Sequence, residues 1–161
     1  MKHAFRCMTG VGLLACISAM FGVQAEDPFA GTWVLDVEKS SYPPSACPKS
    51  MVIEMQPFQD GVRYRSLAVH SNGVASRAQY EAKYDGKEVL VQGTNGLLLP
   101  VSLKRLDAKT VVATYKRGFR VVATSRREVS SDGRTMTITT TSPDKDGTNV
   151  TAIGVYDRKG F

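Results

Sequence analysis

The side chains best suited to catalysis in this chain are few, and their spacing decides what they can do. The 161 residues include two histidines, His3 and His70, and three cysteines. None of them has the spacing of a metal site, and a cysteine nucleophile needs a neighbouring base to form its thiolate. Cys47 follows two prolines without a histidine beside it. The sequence therefore predicts no catalytic centre, no metal and no cofactor, and Cys47 is interpreted as a loop thiol.

An arginine on the inner face of a strand is a stronger candidate for chemistry, namely the binding of an anion. In the predicted strand 119–129, alternation places Arg127 on one face with Ser125. A buried guanidinium is costly unless an anion pairs with it. A ligand carboxylate or phosphate would serve, but so would a carboxylate of the protein, and a bulge would change the phase of the alternation. Anion binding by Arg127 is therefore a hypothesis.

Tyrosines are the second component of the predicted site. Their rings can cover apolar ligand surface, and their hydroxyls give selectivity through hydrogen bonds. Packing of an ordinary core would explain inward tyrosines almost as well. The candidate ligand-binding residues are Arg127, Tyr156, Tyr80, Tyr84, Tyr64 and Ser125.

These side chains can converge only if the strands that carry them form one closed surface. Asn-Gly and Asp-Gly turn signals recur at nearly regular spacing, and glycine supplies the positive φ that tight hairpins need. The runs between them predict strands at 32–37, 50–57, 62–70, 74–84, 88–92, 97–106, 110–117, 119–129, 134–141 and 148–158. A meander that closes leaves no exposed edges. The sequence therefore predicts an all-β, antiparallel up-and-down β-barrel of about eight to ten strands.

The predicted inward faces are made of unusually small residues. One face of 74–84 holds Val74, Ser76, Ala78, Tyr80, Ala82 and Tyr84, and one face of 119–129 holds Phe119, Val121, Ala123, Ser125, Arg127 and Val129. Large side chains would fill a barrel of this size, so small ones indicate room for a ligand. The taper or a tight corner of a filled barrel would also select small residues.

Two further stretches are expected on the surface. Residues 38–49, rich in proline and serine, are predicted to be a loop over one end of the barrel, either a mobile lid or a plain crossover. Several basic residues are predicted to form a solvated flank rather than a nucleic-acid surface. They are Arg63, Arg65, Arg77, Arg105, Lys116, Arg117 and Arg120.

The first 25 residues predict export. Lys2 and Arg6 precede a short apolar run, and the segment ends in Val23-Gln24-Ala25, which is typical of a secretory signal peptide. Cleavage after Ala25 leaves residues 26–161 as a single domain, periplasmic or secreted, in a Gram-negative bacterium. Lipoprotein processing at Cys16 is the minor alternative. The net charge of +6 includes two charges from the signal, and a mildly basic domain suits an anionic partner without requiring one.

The two ends of the predicted domain resemble a known family. Phe29-Ala30-Gly31-Thr32-Trp33 is similar to the opening of lipocalins and fatty-acid-binding proteins, together called calycins, and 155–159 is similar to the final strand of the fatty-acid-binding branch. The chain also resembles small exported lipocalin-like proteins of bacteria. The resemblance implies that Gly31, Trp33 and Arg158 (or Lys159) close the barrel through a cation–π contact.

The same resemblance implies a site for a ligand carboxylate that is incomplete here. Fatty-acid-binding proteins use an arginine and a tyrosine two residues apart on the last strand. Tyr156 matches the tyrosine, but Gly154 stands in place of the arginine.

The function predicted from these observations is non-covalent binding of a small apolar or amphipathic, and in one reading anionic, ligand inside the barrel. No enzymatic activity, nucleic-acid partner or transmembrane span is predicted. The alternative is a periplasmic interaction or inhibitor module that acts through its loops and holds no internal ligand. The sequence leaves open the ligand, the oligomeric state and the state of Cys47.

Overall fold

A computed structural model describes residues 26–43, 46–96 and 98–160 of the chain. The predicted signal peptide, including the alternative processing site at Cys16, lies outside the described residues. The described ranges hold most of the domain predicted for 26–161.

Ten antiparallel strands form a closed barrel, as the sequence predicts. Each strand pairs with its neighbours along the chain, and the first strand also pairs with the last. The strands are β1 (Gly31–Ser41), β2 (Ser50–Phe58), β3 (Gly61–Val69), β4 (Ala75–Lys83), β5 (Asp85–Gly93), β6 (Leu98–Asp107), β7 (Thr110–Arg117), β8 (Arg120–Val129), β9 (Thr135–Pro143) and β10 (Asn149–Arg158). A 3₁₀ turn at Thr94–Gly96 precedes β6.

The two ends of the barrel differ in packing. At the end we call the base, where β1 begins, large apolar side chains such as Trp33, Leu103 and Met136 are completely buried. At the opposite end, the rim, inward positions carry small, half-buried residues, among them Ala123 and Ala152. The described residues that connect β1 to β2 and β5 to β6, and the β3–β4, β7–β8 and β9–β10 connections, lie at the rim. The base half is therefore a filled core, and the rim half is the more open part.

The prediction of a loop over 38–49 is wrong for its first four residues, which extend β1 to Ser41. The pairing of β1 with β10 is interrupted between Asp36 and Ser41. There the Asp36 carboxylate accepts the backbone N–H groups of Glu38 and Lys39, at 3.1 Å each. Polar and apolar residues do not alternate across this irregularity. For that reason the sequence pattern indicates a loop, although these residues belong to β1.

A second irregularity reverses the predicted orientation of Val121. Tyr115 pairs with Ala123 and Lys116 with Val121, so β8 carries one extra residue, Val122, opposite β7. A bulge of this kind changes which face each later position occupies. Val121 is therefore exposed, not inward as the alternation predicted, and Phe119, which was also predicted to face inward, is exposed in the turn before β8.

The pairing between β4 and β5 is the sparsest in the barrel. Ala78 is aligned with Gly93 and Gln79 with Gln92, and these are the two aligned pairs. The Gln79 amide also donates to the Gln92 side-chain oxygen, at 3.0 Å. From Tyr80 to the base the two strands diverge, and we call this part of the interface the seam.

Candidate binding site inside the barrel

Arg127 lies inside the barrel, as the alternation along β8 predicted. It is 3% exposed. Its guanidinium carbon is 4.9 Å from the centre of the Tyr64 ring, and Nη2 donates a hydrogen bond to the Tyr115 hydroxyl at 3.1 Å. A cation over an aromatic face is attracted by the ring quadrupole, and more strongly where water is excluded. The tyrosines therefore hold the guanidinium in a fixed position.

The charge of Arg127 has no counter-ion among the described residues. None of the ion pairs in that part of the chain includes Arg127. Its Nε and the Tyr80 hydroxyl are both buried without a hydrogen-bond partner there. A buried charge is stable only when it is paired or fully hydrogen-bonded. The site therefore has capacity for an anionic group.

The ionisation of the site is constant around neutral pH. Burial lowers the pKa of Arg127, but the hydroxyls of Tyr80, Tyr115 and Tyr64 raise it by more, so that the pKa lies above its ordinary value. Burial raises the pKa of Tyr64 and raises that of Tyr80 further, and the Arg127 charge offsets only part of this. The site therefore holds one positive charge surrounded by neutral hydroxyls.

Tyr64 and Tyr80 form a stacked pair beside Arg127. They face each other across β3 and β4, with ring centres 4.7 Å apart and planes inclined by 11°. Such pairs contribute about 0.5–1.5 kcal/mol beyond the burial of their area. The pair gives the site a rigid aromatic wall.

Hydroxyl groups lie beside Arg127 on the β8–β9 wall. Ser125, two residues from Arg127 on β8 and nearer the rim, is aligned with Thr140 of β9, and their hydroxyl oxygens are 2.7 Å apart. Thr140 was not among the predicted site residues. Its place in the predicted strand 134–141 was a signal that could have identified it. These hydroxyls can exchange their mutual bond for bonds to a ligand.

Tyr156 lies on the β10 wall beside Tyr42, which was not among the predicted site residues. Its hydroxyl donates to the Met51 sulfur at 3.3 Å. Burial, and then the neighbouring Tyr42, raise the pKa of Tyr156. A Cβ at Gly154 would lie 2.6 Å from the Tyr42 hydroxyl and 2.8 Å from the Tyr156 ring. Gly154 therefore makes room for Tyr42, where the fatty-acid-binding pattern has an arginine.

Tyr84 makes its contacts at the base, apart from the other predicted ligand residues. The Arg105 guanidinium carbon is 4.1 Å from the centre of the Tyr84 ring, and Arg105 pairs with Asp27 at 2.8 Å. The prediction that Arg105 belongs to a solvated flank is wrong, because this pairing holds it half-buried at the base. Because Asp27 pairs with Arg105, the described residues at the base include no unpaired buried cation equivalent to Arg127.

The residues assigned to barrel closure come together at the base. The Arg158 guanidinium carbon is 4.2 Å from the centre of the Trp33 ring. Arg158 also donates from Nε to the Gly133 carbonyl at 2.7 Å, and from Nη1 to the Ala30 carbonyl. A Cβ at Gly31, where φ is +136°, would lie 2.9 Å from Arg158 Nη1. The positive φ therefore favours glycine at this position, and the guanidinium packs directly against it.

A groove of about 380 Å³ follows the outer surface of β3, β4 and β5. Its outer lining includes Arg63, Leu90 and Gln92, but it also reaches Tyr64 and Tyr80, whose side chains face inward. The groove thus approaches the aromatic wall of the site at the seam, where β4 and β5 diverge.

The described residues contain neither a metal-binding cluster nor a membrane-spanning helix. In 26–43, 46–96 and 98–160, no group of three or more His, Cys, Asp or Glu side chains could hold a metal ion. Within the same ranges, no helix is long and apolar enough to cross a membrane.

Comparison with known proteins places this geometry in a known architecture. No family model and no curated protein matches the sequence. Zebrafish ileal bile acid-binding protein, solved in complex with cholic acid, is similar in structure with a TM-score of 0.55 and 14% identity, over 81% of this chain and 98% of that chain. A Schistosoma mansoni fatty acid binding protein in complex with arachidonic acid gives a TM-score of 0.54 and 17% identity, over 81% and 96%. The chain therefore has the closed, antiparallel, up-and-down barrel fold of the calycin type.

Proposed function

We propose that the barrel binds a small amphipathic molecule non-covalently, without chemical turnover. Its anionic group pairs with Arg127, and its apolar part lies against the Tyr64–Tyr80 wall. The observation that carries the proposal is the burial of Arg127, which is 3% exposed and has no carboxylate partner in the described ranges. An anionic ligand would supply the missing partner through charge-assisted hydrogen bonds.

The two similar structures support the same class of ligand. Both were solved with an organic acid, cholic acid in one and arachidonic acid in the other. In this chain the arginine stands on β8, whereas the matched position on β10 is Gly154, covered by Tyr42. The proposed ligand headgroup therefore lies against β8, between Ser125 and the tyrosine pair.

A pair of fluorescent probes tests the proposal. Anilinonaphthalene sulfonate is an apolar anion, and N-phenylnaphthylamine has a similar ring system without the charge. We expect Arg127→Met to weaken binding of the anion by about tenfold to a hundredfold, because a charge-assisted hydrogen bond is lost, and to leave the neutral probe unaffected.

Arg126→Met is the matched control, since Arg126 points outward and pairs with Glu128 at 2.9 Å. We expect it to bind both probes like the unsubstituted protein. Equal affinities of the two variants for the anion, or no binding of either probe by the unsubstituted protein, would contradict the proposal.

Export is part of the same proposal and rests on the sequence of residues 1–25. A carrier of this kind would act outside the cytoplasm after removal of that segment. The intact mass of protein purified from its own cells distinguishes cleavage after Ala25 from acylation at Cys16 and from the uncut chain.

A further inference from the structure

The turn between β7 and β8 presents a completely exposed aromatic residue at the rim. Phe119 has a relative exposure of 106%, and the following Val121 is 51% exposed. The extra residue Val122 turns Val121 outward, and Phe119 lies in the turn between the two strands. We call residues 117–121 the rim hairpin. The Phe119 side chain is not covered by any described part of the barrel.

The backbone of the rim hairpin holds Phe119 in this position. Gly118 has a φ of +59° and is the first of two residues between β7 and β8. Glycine at this place is typical of the tight turns that match the twist of paired strands. The second turn residue, Phe119, must therefore project from the tip. The backbone of the turn is therefore already ordered before a partner buries the phenyl ring.

Two unpaired cations flank the phenyl ring. Arg117 and Arg120 face each other across the hairpin, and neither forms an ion pair with a described residue. Like charges directly opposite each other on paired strands are destabilising. The neighbouring Lys116, in contrast, pairs with Glu88 at 2.5 Å. The hairpin thus keeps two positive charges available for an external anion.

We propose that the rim hairpin docks the barrel on a membrane that contains anionic phospholipids. Phe119 enters the headgroup region, and Arg117 and Arg120 contact lipid phosphates. Aromatic residues favour this interface, and basic residues near an anionic surface add to the binding. A stable protein partner would need roughly 800 Å² of contact, far more than one hairpin tip offers. Single-stranded nucleic acid is usually bound by a basic groove with several aromatic residues.

Docking through this hairpin would direct the open half of the barrel toward the lipid surface, because the hairpin lies at the rim. The inference goes beyond ligand binding and does not depend on it. Arg127 lies inside the barrel, so Arg127→Met should dock like the unsubstituted protein even though it loses the anionic probe. A failure of either proposal can therefore be told from a failure of the other.

Sedimentation with vesicles tests the proposal. We expect the protein to bind vesicles of equal parts phosphatidylglycerol and phosphatidylcholine, and to bind vesicles of phosphatidylcholine alone much more weakly. Phe119→Ser should weaken binding to the mixed vesicles by about tenfold. The double variant Arg117→Gln/Arg120→Gln should weaken it by about thirtyfold.

Matched changes at the base are the controls. Leu106→Ser removes an apolar side chain that is 51% exposed, and Lys83→Gln/Lys87→Gln removes the same charge as the arginine pair. We expect both to bind like the unsubstituted protein. Equal losses at base and rim, or no binding to anionic vesicles, would overturn the proposal. Binding to an acidic protein or to single-stranded DNA without vesicle binding would also overturn it.

A tryptophan at the tip gives a second readout. Phe119→Trp should shift its emission to shorter wavelength on anionic vesicles and be quenched by brominated lipid chains. Trp33 is completely buried, so its emission should stay constant. A tip tryptophan that remains in water while the protein sediments would show that another surface binds the vesicles, and would overturn the proposal.

Discussion

At the scale of single residues, Arg127 and the tyrosines around it determine the electrostatics of the interior. The guanidinium is charged at every physiological pH, and burial keeps the nearby hydroxyls neutral. Between about pH 5 and pH 9 the charge of the binding site should therefore stay constant. Any change in anion affinity with pH over this range should come from ionisation of the acid group of the ligand.

The buried tyrosines make the stability of the protein sensitive to alkali. Unfolded tyrosines ionise near pH 10, whereas the pKa of Tyr80 in the folded protein lies well above that value because of burial. Ionisation above about pH 10 thus stabilises the unfolded state alone, and the free energy of unfolding falls by about 1.4 kcal/mol per pH unit for each such group. We expect Tyr80→Phe to reduce this slope.

Urea unfolding of both proteins between about pH 9 and pH 11 measures the two slopes. Identical slopes for the unsubstituted protein and Tyr80→Phe would show that the Tyr80 hydroxyl is not protected from ionisation in the fold.

At the scale of the strand and its turns, a glycine can be required for close contact rather than for its φ. Gly61 follows a turn in which Gln59, not the glycine, has a positive φ of 50°. A Cβ at Gly61 would lie 1.9 Å from the Ala82 carbonyl oxygen on the neighbouring strand. We expect Gly61→Ala to lower the free energy of unfolding by about 3 kcal/mol or more, because backbone must move.

Gly73→Ala is the control for this prediction. Gly73 has a φ of +81° and open space around it, so the cost should be the conformational one of about 1 kcal/mol. Denaturant midpoints compare the two variants. Similar losses would show that the contact with Ala82 relaxes readily.

The strands could be predicted well because turn residues mark their ends, and the barrel closure followed from the need to pair both edges. Alternation also placed Arg127, Tyr64 and Tyr80 inward, since β8 is regular from Ala123 to Val129 and β3 pairs with β4 without a register shift. It failed for Val121, because a single extra residue, Val122, reverses its face, and for Phe119, which lies in the turn before β8. A bulge depends on how two strands pair, and one strand's pattern does not record that.

At the scale of the whole molecule, the contact between Arg158 and Trp33 reinforces the pairing of the first and last strands. Arg158 covers Trp33 and donates to three carbonyl groups, two in the segment before β1 and one in the β8–β9 turn. We expect Arg158→Lys to lower the free energy of unfolding by about 2 kcal/mol, because an ammonium cannot reproduce the planar set of donors. Thermal unfolding followed by Trp33 fluorescence measures the change.

Lys159→Gln is the matched control at the other basic residue considered for closure. Its side chain is exposed, and we expect its effect to stay within about 0.5 kcal/mol. Equal effects of the two substitutions would contradict the assignment of closure to Arg158.

The sparse pairing of β4 and β5 has a mechanical consequence. A cylinder bends most easily where its wall is least connected, and here two aligned residue pairs join these strands while four join β1 to β2. The amides along the seam lack the protection of a full ladder, so their exchange with solvent should be faster than elsewhere in the wall. The barrel is thus stiff around most of its circumference and compliant along one line, beside the Tyr64–Tyr80 pair.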